Sequence, residues 1–176
     1  MSVLVEAHSV IVRCEAVYQR HTGGWELFEA EVPNRTFCSD GEIARVGFMA
    51  PADAEMYLAH LVSRGLRYCQ DGKALDLVVA FQLSGLNVPC DWLDFHRLSS
   101  ASFCGSVACC RLRDSAGTAL ATPVRWKYEG SLSQTFGIFP DPNNNPGVKF
   151  LRHENGMEVY YDTLAGKEVF VGRTGH

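Results

Sequence analysis

The sequence predicts an α+β fold: a βαβαββ-like N-terminal half of ferredoxin-like character, followed by an antiparallel, β-rich C-terminal half. Two observations support this division. Helical and strand-like apolar periods alternate as far as Pro89, whereas only strand-like runs recur beyond it. The charge changes at the same place, because residues 1–88 carry seven basic and eleven acidic side chains while residues 89–176 carry nine of each. We therefore divide the chain into an α/β half (1–88) and an all-β half (89–176), which form one compact domain or two lobes with a shared core.

The first elements of the α/β half are a strand and two short helices. Residues 3–13 have the alternation of a largely buried strand. A helical spacing of apolar residues follows over 15–32, and it includes Gly23 and Gly24. Because a glycine inside a helix costs about 1 kcal/mol relative to alanine, these glycines predict a break between two helices. Strand material at 36–38 and 43–49 then flanks a turn at Ser39-Asp40-Gly41.

The clearest helix signal lies between Pro51 and Gly65. Proline suits the first position of a helix, and glycine suits the left-handed residue that follows its end. The predicted inward stripe comprises Ala54, Leu58, Leu61 and Val62. Asp71-Gly72 predicts a hairpin turn between strands at 66–69 and 74–83, and the second strand is apolar on both faces, as a central strand would be.

The all-β half contains six strand-like runs. They lie at 92–97, 107–112, 122–129, 148–153, 157–162 and 167–171. Asn155-Gly156 is a strong hairpin signal, so the last three runs are predicted to form a three-stranded antiparallel meander. The sequence leaves open whether the two halves share one continuous sheet.

Composition and cysteine usage predict a cytoplasmic protein. The N-terminus lacks the basic and apolar regions of a secretory signal, and no apolar run approaches the roughly 20 residues that span a bilayer. The seven cysteines are odd in number and include an adjacent pair, which indicates free thiols rather than a disulfide framework. The net charge of −4 disfavours nucleic acid and anionic membranes as partners.

No cofactor or metal is predicted. The chain lacks the glycine-rich phosphate-binding motifs, and Cys104, Cys109 and Cys110 lack a second pair of zinc ligands. The loop at 139–147 has Asp and Asn at calcium-loop spacing, but Pro146 and Arg152 stand where glycine and glutamate are needed.

Residues 91–96 contain one candidate catalytic group, and a plainer structural interpretation of the same residues is also open. If 92–97 is a strand, Asp94 and His96 share a face, and the carboxylate could orient the imidazole for acid–base chemistry, with Asp91 nearby. The plainer interpretation, which we favour, is a solvated pair beside a packed Trp92.

Acidic and stiff segments indicate where a partner could bind. The candidate partner-binding residues are Glu26, Glu29, Glu31, Asp40, Glu42, Asn143, Asn144 and Asn145. The acids suit docking to a basic protein, and the Pro/Asn-rich loop suits recognition. We therefore expect a non-enzymatic protein-binding module, of the inhibitor or immunity type, for a basic toxin or enzyme. The alternative is a small enzyme or ligand-binding domain with a pocket between the halves that uses Asp94 and His96. The sequence leaves open whether the protein forms a homo-oligomer.

Overall fold

The computed structural model describes residues 1–99, 105–135, 148–154, 157–163 and 166–172. These residues confirm the α+β fold. The helices are α1 (Cys14–Arg20), α2 (Gly24–Ala30), α3 (Pro51–Ser63) and α4 (Leu132–Thr135). The strands are β1 (Ser2–Val5), β2 (His8–Arg13), β3 (Cys38–Ser39), β4 (Ile43–Phe48), β5 (Cys69–Gln70), β6 (Lys73–Ala74), β7 (Leu77–Phe81), β8 (Gly85–Leu86), β9 (Leu93–Ser99), β10 (Ser106–Leu112), β11 (Leu120–Ala121), β12 (Val148–Glu154), β13 (Met157–Asp162) and β14 (Lys167–Gly172).

The strands form separate hydrogen-bonded sheets rather than one continuous sheet. A five-stranded antiparallel sheet has the order β3-β4-β2-β7-β8, and a four-stranded sheet has the order β11-β1-β10-β9. Strands β12, β13 and β14 form the predicted antiparallel meander, while β5 and β6 pair as a short hairpin. The ferredoxin-like detail of the N-terminal half is not confirmed by this strand order.

The alternation of side chains along β2 shows how the layers pack. Val10 and Val12 point to a core shared with α1, α2 and α3, whereas Ile11 points to a second core between the five-stranded and four-stranded sheets. Neighbouring strands alternate in the same way, so β7 sends Val79 to the helices and Val78 to the other sheet. The five-stranded sheet is therefore buried on both faces, as the two-sided apolar pattern of β7 predicts.

The prediction of a single strand over 3–13 is wrong, because the chain changes sheets at Glu6-Ala7. Strand β1 pairs with β10 and β11, while β2 pairs with β4 and β7. Ala7 has the positive φ of 46° that this kink requires. The first strand of residues 1–88 thus lies in a sheet otherwise built from strands beyond residue 88, and the domain division at 88/89 stays a prediction.

The predicted helices form, with one error in the inward stripe of α3. Helices α1 and α2 are separated at His21-Thr22-Gly23, where Gly23 adopts a φ of 95°. Helix α3 ends as predicted, because Gly65 has a φ of 105° and the following Leu66 is buried. Val62, which we predicted to face inward, is exposed, and Tyr57 is buried instead.

Further predicted strands differ from those in the structure. The hairpin turn has positive φ at both Asp71 and Gly72, but its second strand ends at Ala74 and a separate strand, β7, starts at Leu77. The predicted strand at 122–129 is absent from that described segment, which forms turns. Its aromatic side chains serve another purpose, since Trp126 Nε1 donates a hydrogen bond to Glu6 Oε1 at 3.1 Å. The turns at 155–156 and 164–165 lie outside the described residues.

Candidate functional site

Asp91 and Asp94 are held by basic side chains. The carboxylate of Asp91 accepts a hydrogen bond from Lys73 Nζ at 2.7 Å, which lowers its pKa. Asp94 accepts one from Arg113 Nε at 3.2 Å, and its other oxygen lies 3.9 Å from Arg111 Nε. Both aspartates therefore have ion-pair partners on neighbouring elements.

His96 lies beside a thiol and a hydroxyl. Strand pairing places His96 opposite Cys109, and its Nε2 lies 3.2 Å from Cys109 Sγ and 3.4 Å from Ser2 Oγ. Its Nδ1 is buried with no hydrogen-bond partner among the described residues. The structure thus brings His96 to a cysteine, whereas the Asp94 carboxylate pairs with arginines.

This cysteine–histidine pair lacks the electrostatics of an activated nucleophile. Burial raises the pKa of Cys109 to about 11, and hydrogen bonding to Ser2 only partly opposes that change. Burial also lowers the pKa of His96, assisted by Arg111. The neutral thiol and the neutral imidazole are therefore favoured at neutral pH. A catalytic role for Asp91, Asp94 and His96 stays a prediction.

The predicted partner-binding acids of α2 differ in their availability. Glu26 and Glu29 are exposed on α2 and make no ion pair within the described residues. Glu31 instead accepts hydrogen bonds from His60, at 3.0 Å, and from Arg64 of the α3 end. Burial raises the pKa of Glu31, but these two partners outweigh it, so the pKa is lowered overall. Glu31 joins α2 to α3, and a substitution there would disturb packing.

Asp40 and Glu42 lie at the turn between β3 and β4. Asp40 Oδ1 accepts hydrogen bonds from the backbone N–H groups of Glu42 and Ile43, at 3.0 and 2.9 Å. Asp40 Oδ2 is buried and has no partner within the described residues. Glu42 is exposed. The remaining candidates, Asn143, Asn144 and Asn145, lie outside the described residues.

An open cavity of about 420 Å³ lies between the layer formed by α1, α2 and α3, which we name the helical layer, and the end of β10. We name it the junction cavity. Its lining includes Arg13, Cys14, Glu15, Tyr18, Glu42 and Leu112. Leu112 belongs to the four-stranded sheet, so the cavity joins parts of the chain on both sides of residue 88. Neither Asp94 nor His96 lines it.

A second concave surface runs beside the first turns of α3, and we name it the α3 groove. It consists of two adjoining cavities, each of about 420 Å³, that share Asn34, Phe48 and Asp53. Met56 and Tyr57 line one end. The Tyr57 hydroxyl is buried and has no hydrogen-bond partner within the described part of the chain.

The wall of the α3 groove closes an open sheet edge. Strand β3 pairs only with Ala44 and Arg45 of β4, so Gly47 lies beyond it. Gly47 O accepts hydrogen bonds from Asn34 Nδ2 at 2.8 Å and from Thr36 Oγ1 at 3.1 Å, and Gly47 N–H donates to Thr36 Oγ1. Side chains therefore replace a neighbouring strand, which blocks pairing with another chain at this edge.

Sequence reasoning did not identify either concave surface. Phe48 and Met56 are apolar residues of a predicted strand and a predicted helix, so the sequence favours core positions for both. Tyr18 belongs to no sequence pattern that indicates a binding site. Asp53 lies in the first turn of α3, where the helix dipole alone accounts for an acidic side chain. Met56 gives a weak sequence signal for the α3 groove, because it is apolar and yet lies outside the inward stripe of α3. In the structure it is 72% exposed.

Within the described residues, no group of three or more His, Cys, Asp and Glu side chains is arranged to hold a metal ion. No helix in this part of the chain has both the length and the apolar character needed to cross a membrane. Comparison with protein-family models, curated proteins and solved structures finds no match to the chain.

Proposed function

We propose that the protein is a cytoplasmic, non-enzymatic protein-binding module that recognises a basic partner through its helical layer, in the manner of an inhibitor or immunity-type protein. The proposal rests on the shape and the lining of the α3 groove. It combines an extended concave shape with apolar side chains and one carboxylate, Asp53, at the place where its two cavities meet.

The apolar part of the groove suits a protein interface. Met56 is 72% exposed, and it lies beside Phe48 and the buried Tyr57. Methionine adapts its shape easily, and an aromatic floor beneath it supplies area that a partner side chain can cover. Exposed apolar residues beside a concave surface are typical of binding sites.

The charges of the helical layer favour a basic partner. Glu26, Glu29 and Asp53 are exposed and make no ion pair within the described residues. Two cations of the helices are paired: Arg64 binds Glu31, and Arg20 Nη1 lies 3.6 Å from Asp76. Arg35, beside the groove, is exposed and makes no ion pair within the described residues, so one cation stands against these three acids. The uncompensated charge of the layer is therefore negative. Such a surface increases the rate at which a basic protein associates with it.

The test is capture of a partner from an extract of the native host with the purified chain as bait. We expect a basic protein whose retention falls as salt rises, because screening weakens exposed charge pairs. Asp53→Lys should reduce its affinity about tenfold or more, whereas the double variant Glu26→Lys/Glu29→Lys should mainly slow association. Glu129→Lys, at an exposed site outside the helical layer, is the matched control.

Two outcomes would contradict the proposal. One is the absence of any partner under mild conditions, and the other is a partner that binds Asp53→Lys and Glu129→Lys equally well. Glu31 is left unchanged in these variants because its pairs with His60 and Arg64 hold the fold. Loss of binding in Glu31→Lys would not separate recognition from stability.

A further inference from the structure

The junction cavity is lined by more acid than base. Glu15 and Glu42 contribute carboxylates to its lining, and Arg13 contributes one guanidinium. Asp40 lies directly behind Glu42, whose backbone N–H it binds, and it keeps one buried oxygen without a partner within the described residues. Cys14 belongs to the lining of the same cavity, and the pKa of its buried thiol is raised by burial and further by the charges of Asp40 and Glu42. The cavity therefore has a negative potential.

The guanidinium of Arg13 already makes the contacts that a planar cation favours beside this cavity. Its guanidinium lies over the ring of Trp92, 5.7 Å from the ring centroid, and its Nη2 donates a hydrogen bond to Glu15 Oε2 at 3.1 Å. A planar cation is thus already held between an aromatic face and a carboxylate. Glu15 also accepts a hydrogen bond from Gln19 Nε2 at 2.9 Å, so its capacity is largely used.

Glu42 and Tyr18 also line the cavity, where they supply a further carboxylate and an aromatic ring. Glu42 is exposed at the cavity and makes no hydrogen bond or ion pair through its side chain within the described residues. The ring of Tyr18 is 65% exposed, and it is held in place by stacking on Trp25, with the centroids 5.3 Å apart and the planes at 19°. Leu112 adds an apolar wall from the other sheet.

We propose that the junction cavity is a binding site for a guanidinium or amidinium cation on a flat apolar body, with Glu42 pairing with the cation and Tyr18 and Leu112 contacting the body. A guanidinium fits a carboxylate with two parallel hydrogen bonds, and its plane stacks well on an aromatic ring. The site is separate from the α3 groove, and it goes beyond the proposed function because it assigns a cation-binding role to a different cavity.

The test uses phenylguanidine, which is cationic and planar, and phenylurea, which has nearly the same shape without the charge. Backbone amide NMR of the full chain should show saturable shifts at Gly41 and Glu42 with phenylguanidine only. Glu42→Gln should weaken binding about tenfold, because it removes a charge-assisted pair, and Tyr18→Ala should weaken it several-fold. Glu129→Gln, at an exposed acid that does not line the cavity, is the matched control and should bind like the parent chain.

A short peptide with a central arginine, acetyl-Gly-Arg-Gly-amide, identifies the source of the cation. Binding tighter than that of phenylguanidine indicates an arginine side chain of a macromolecule, and weaker binding indicates a free small molecule; either supports the site. Equal shifts with phenylurea, or an unchanged affinity in Glu42→Gln, would overturn the proposal. Asp53 lines the α3 groove and not the junction cavity, so Asp53→Lys should not change the affinity for phenylguanidine. A negative result in this assay therefore does not contradict the proposed function of the α3 groove.

Discussion

Gly47 leaves the space that the guanidinium of Arg45 occupies. A Cβ atom at position 47 would overlap Arg45, two residues earlier on the same face of β4. Arg45 is only 2% exposed, and it donates hydrogen bonds to Ser9 Oγ and to the backbone oxygens of Thr36 and Glu6, at 2.9, 3.0 and 3.0 Å. These contacts tie β4 to the kink between β1 and β2, where the chain changes sheets.

Gly47→Ala is expected to destabilise the protein by about 2–4 kcal/mol. Overpacking of a closed site costs roughly 1–3 kcal/mol, and displacement of Arg45 would also weaken buried hydrogen bonds to a charged group. Urea denaturation monitored by circular dichroism measures the loss.

A double-mutant cycle checks the cause of that loss. In an Arg45→Met background the guanidinium is gone, so Gly47→Ala should cost less than half of its value in the parent chain. An equal cost in both backgrounds would show that the backbone at position 47, rather than contact with Arg45, disfavours alanine.

Cys69 and Cys109 are expected to differ strongly in reactivity. Cys69 is exposed, whereas Cys109 is fully buried with a pKa raised to about 11, so little thiolate forms at pH 8. Iodoacetamide at pH 8 should therefore label Cys69 within minutes and Cys109 only after unfolding, as peptide mass spectrometry would measure. Labelling of Cys109 in the native protein at a rate near that of Cys69 would instead indicate an activated thiol beside His96.

Local signals predicted the elements whose causes are local. The break near Gly23, the glycine cap at Gly65 and the hairpin at Asp71-Gly72 depend on backbone angles that few other residues adopt, so the sequence reveals them. Long-range effects were not predictable. The kink at Ala7 depends on partners as distant as Gln82, whose Oε1 accepts a hydrogen bond from the Ala7 N–H at 2.8 Å, and on Arg45.

The candidate sites were harder to predict than the fold, because they depend on which charges find partners. Glu26, Glu29 and Glu31 look alike in the sequence, yet only Glu31 meets His60 and Arg64 from α3. Concave surfaces require residues that are distant along the chain, as Leu112 and Glu42 are in the junction cavity. No periodicity within one element contains that information.

Glu6 is expected to anchor the segment around Trp126 to the kink. Its Oε1 accepts hydrogen bonds from Trp126 Nε1, from the Ser133 N–H at 2.8 Å and from Ser133 Oγ at 2.6 Å. Glu6→Ala should leave these donors without an acceptor and lower the free energy of unfolding by about 1–3 kcal/mol. Limited trypsin digestion should then cut faster after Arg125 and Lys127. An unchanged cleavage rate there would contradict the anchoring role.

Acid should destabilise the fold from about pH 6.5 downward through three histidines, of which His8 and His21 are buried and His96 is half-buried. Burial lowers the pKa of His8, His21 and His96 below the ordinary value of 6.5. The unfolded chain therefore takes up protons at a higher pH than the folded chain, so the free energy of unfolding falls as the pH falls through this range. Glu31 affects stability at a lower pH than the histidines, because its pKa is depressed below 4.5. Its contribution to the free energy of unfolding is therefore retained in the pH range where the histidines gain protons.

His21 offers the sharpest test of this pH dependence. It is 5% exposed, neither ring nitrogen has a partner within the described residues, and its ring packs edge-on against Phe28. The charges around it act in opposite directions: Glu31 raises its pKa, while Arg64 and His60 lower it, and burial exceeds all three. His21→Leu cannot gain a proton, so urea midpoints measured between pH 7.5 and 5.0 should fall less steeply than in the parent chain. His153→Gln, at an exposed position of β12, should keep the parent slope. If His21→Leu also keeps that slope, protonation of His21 does not drive the acid sensitivity.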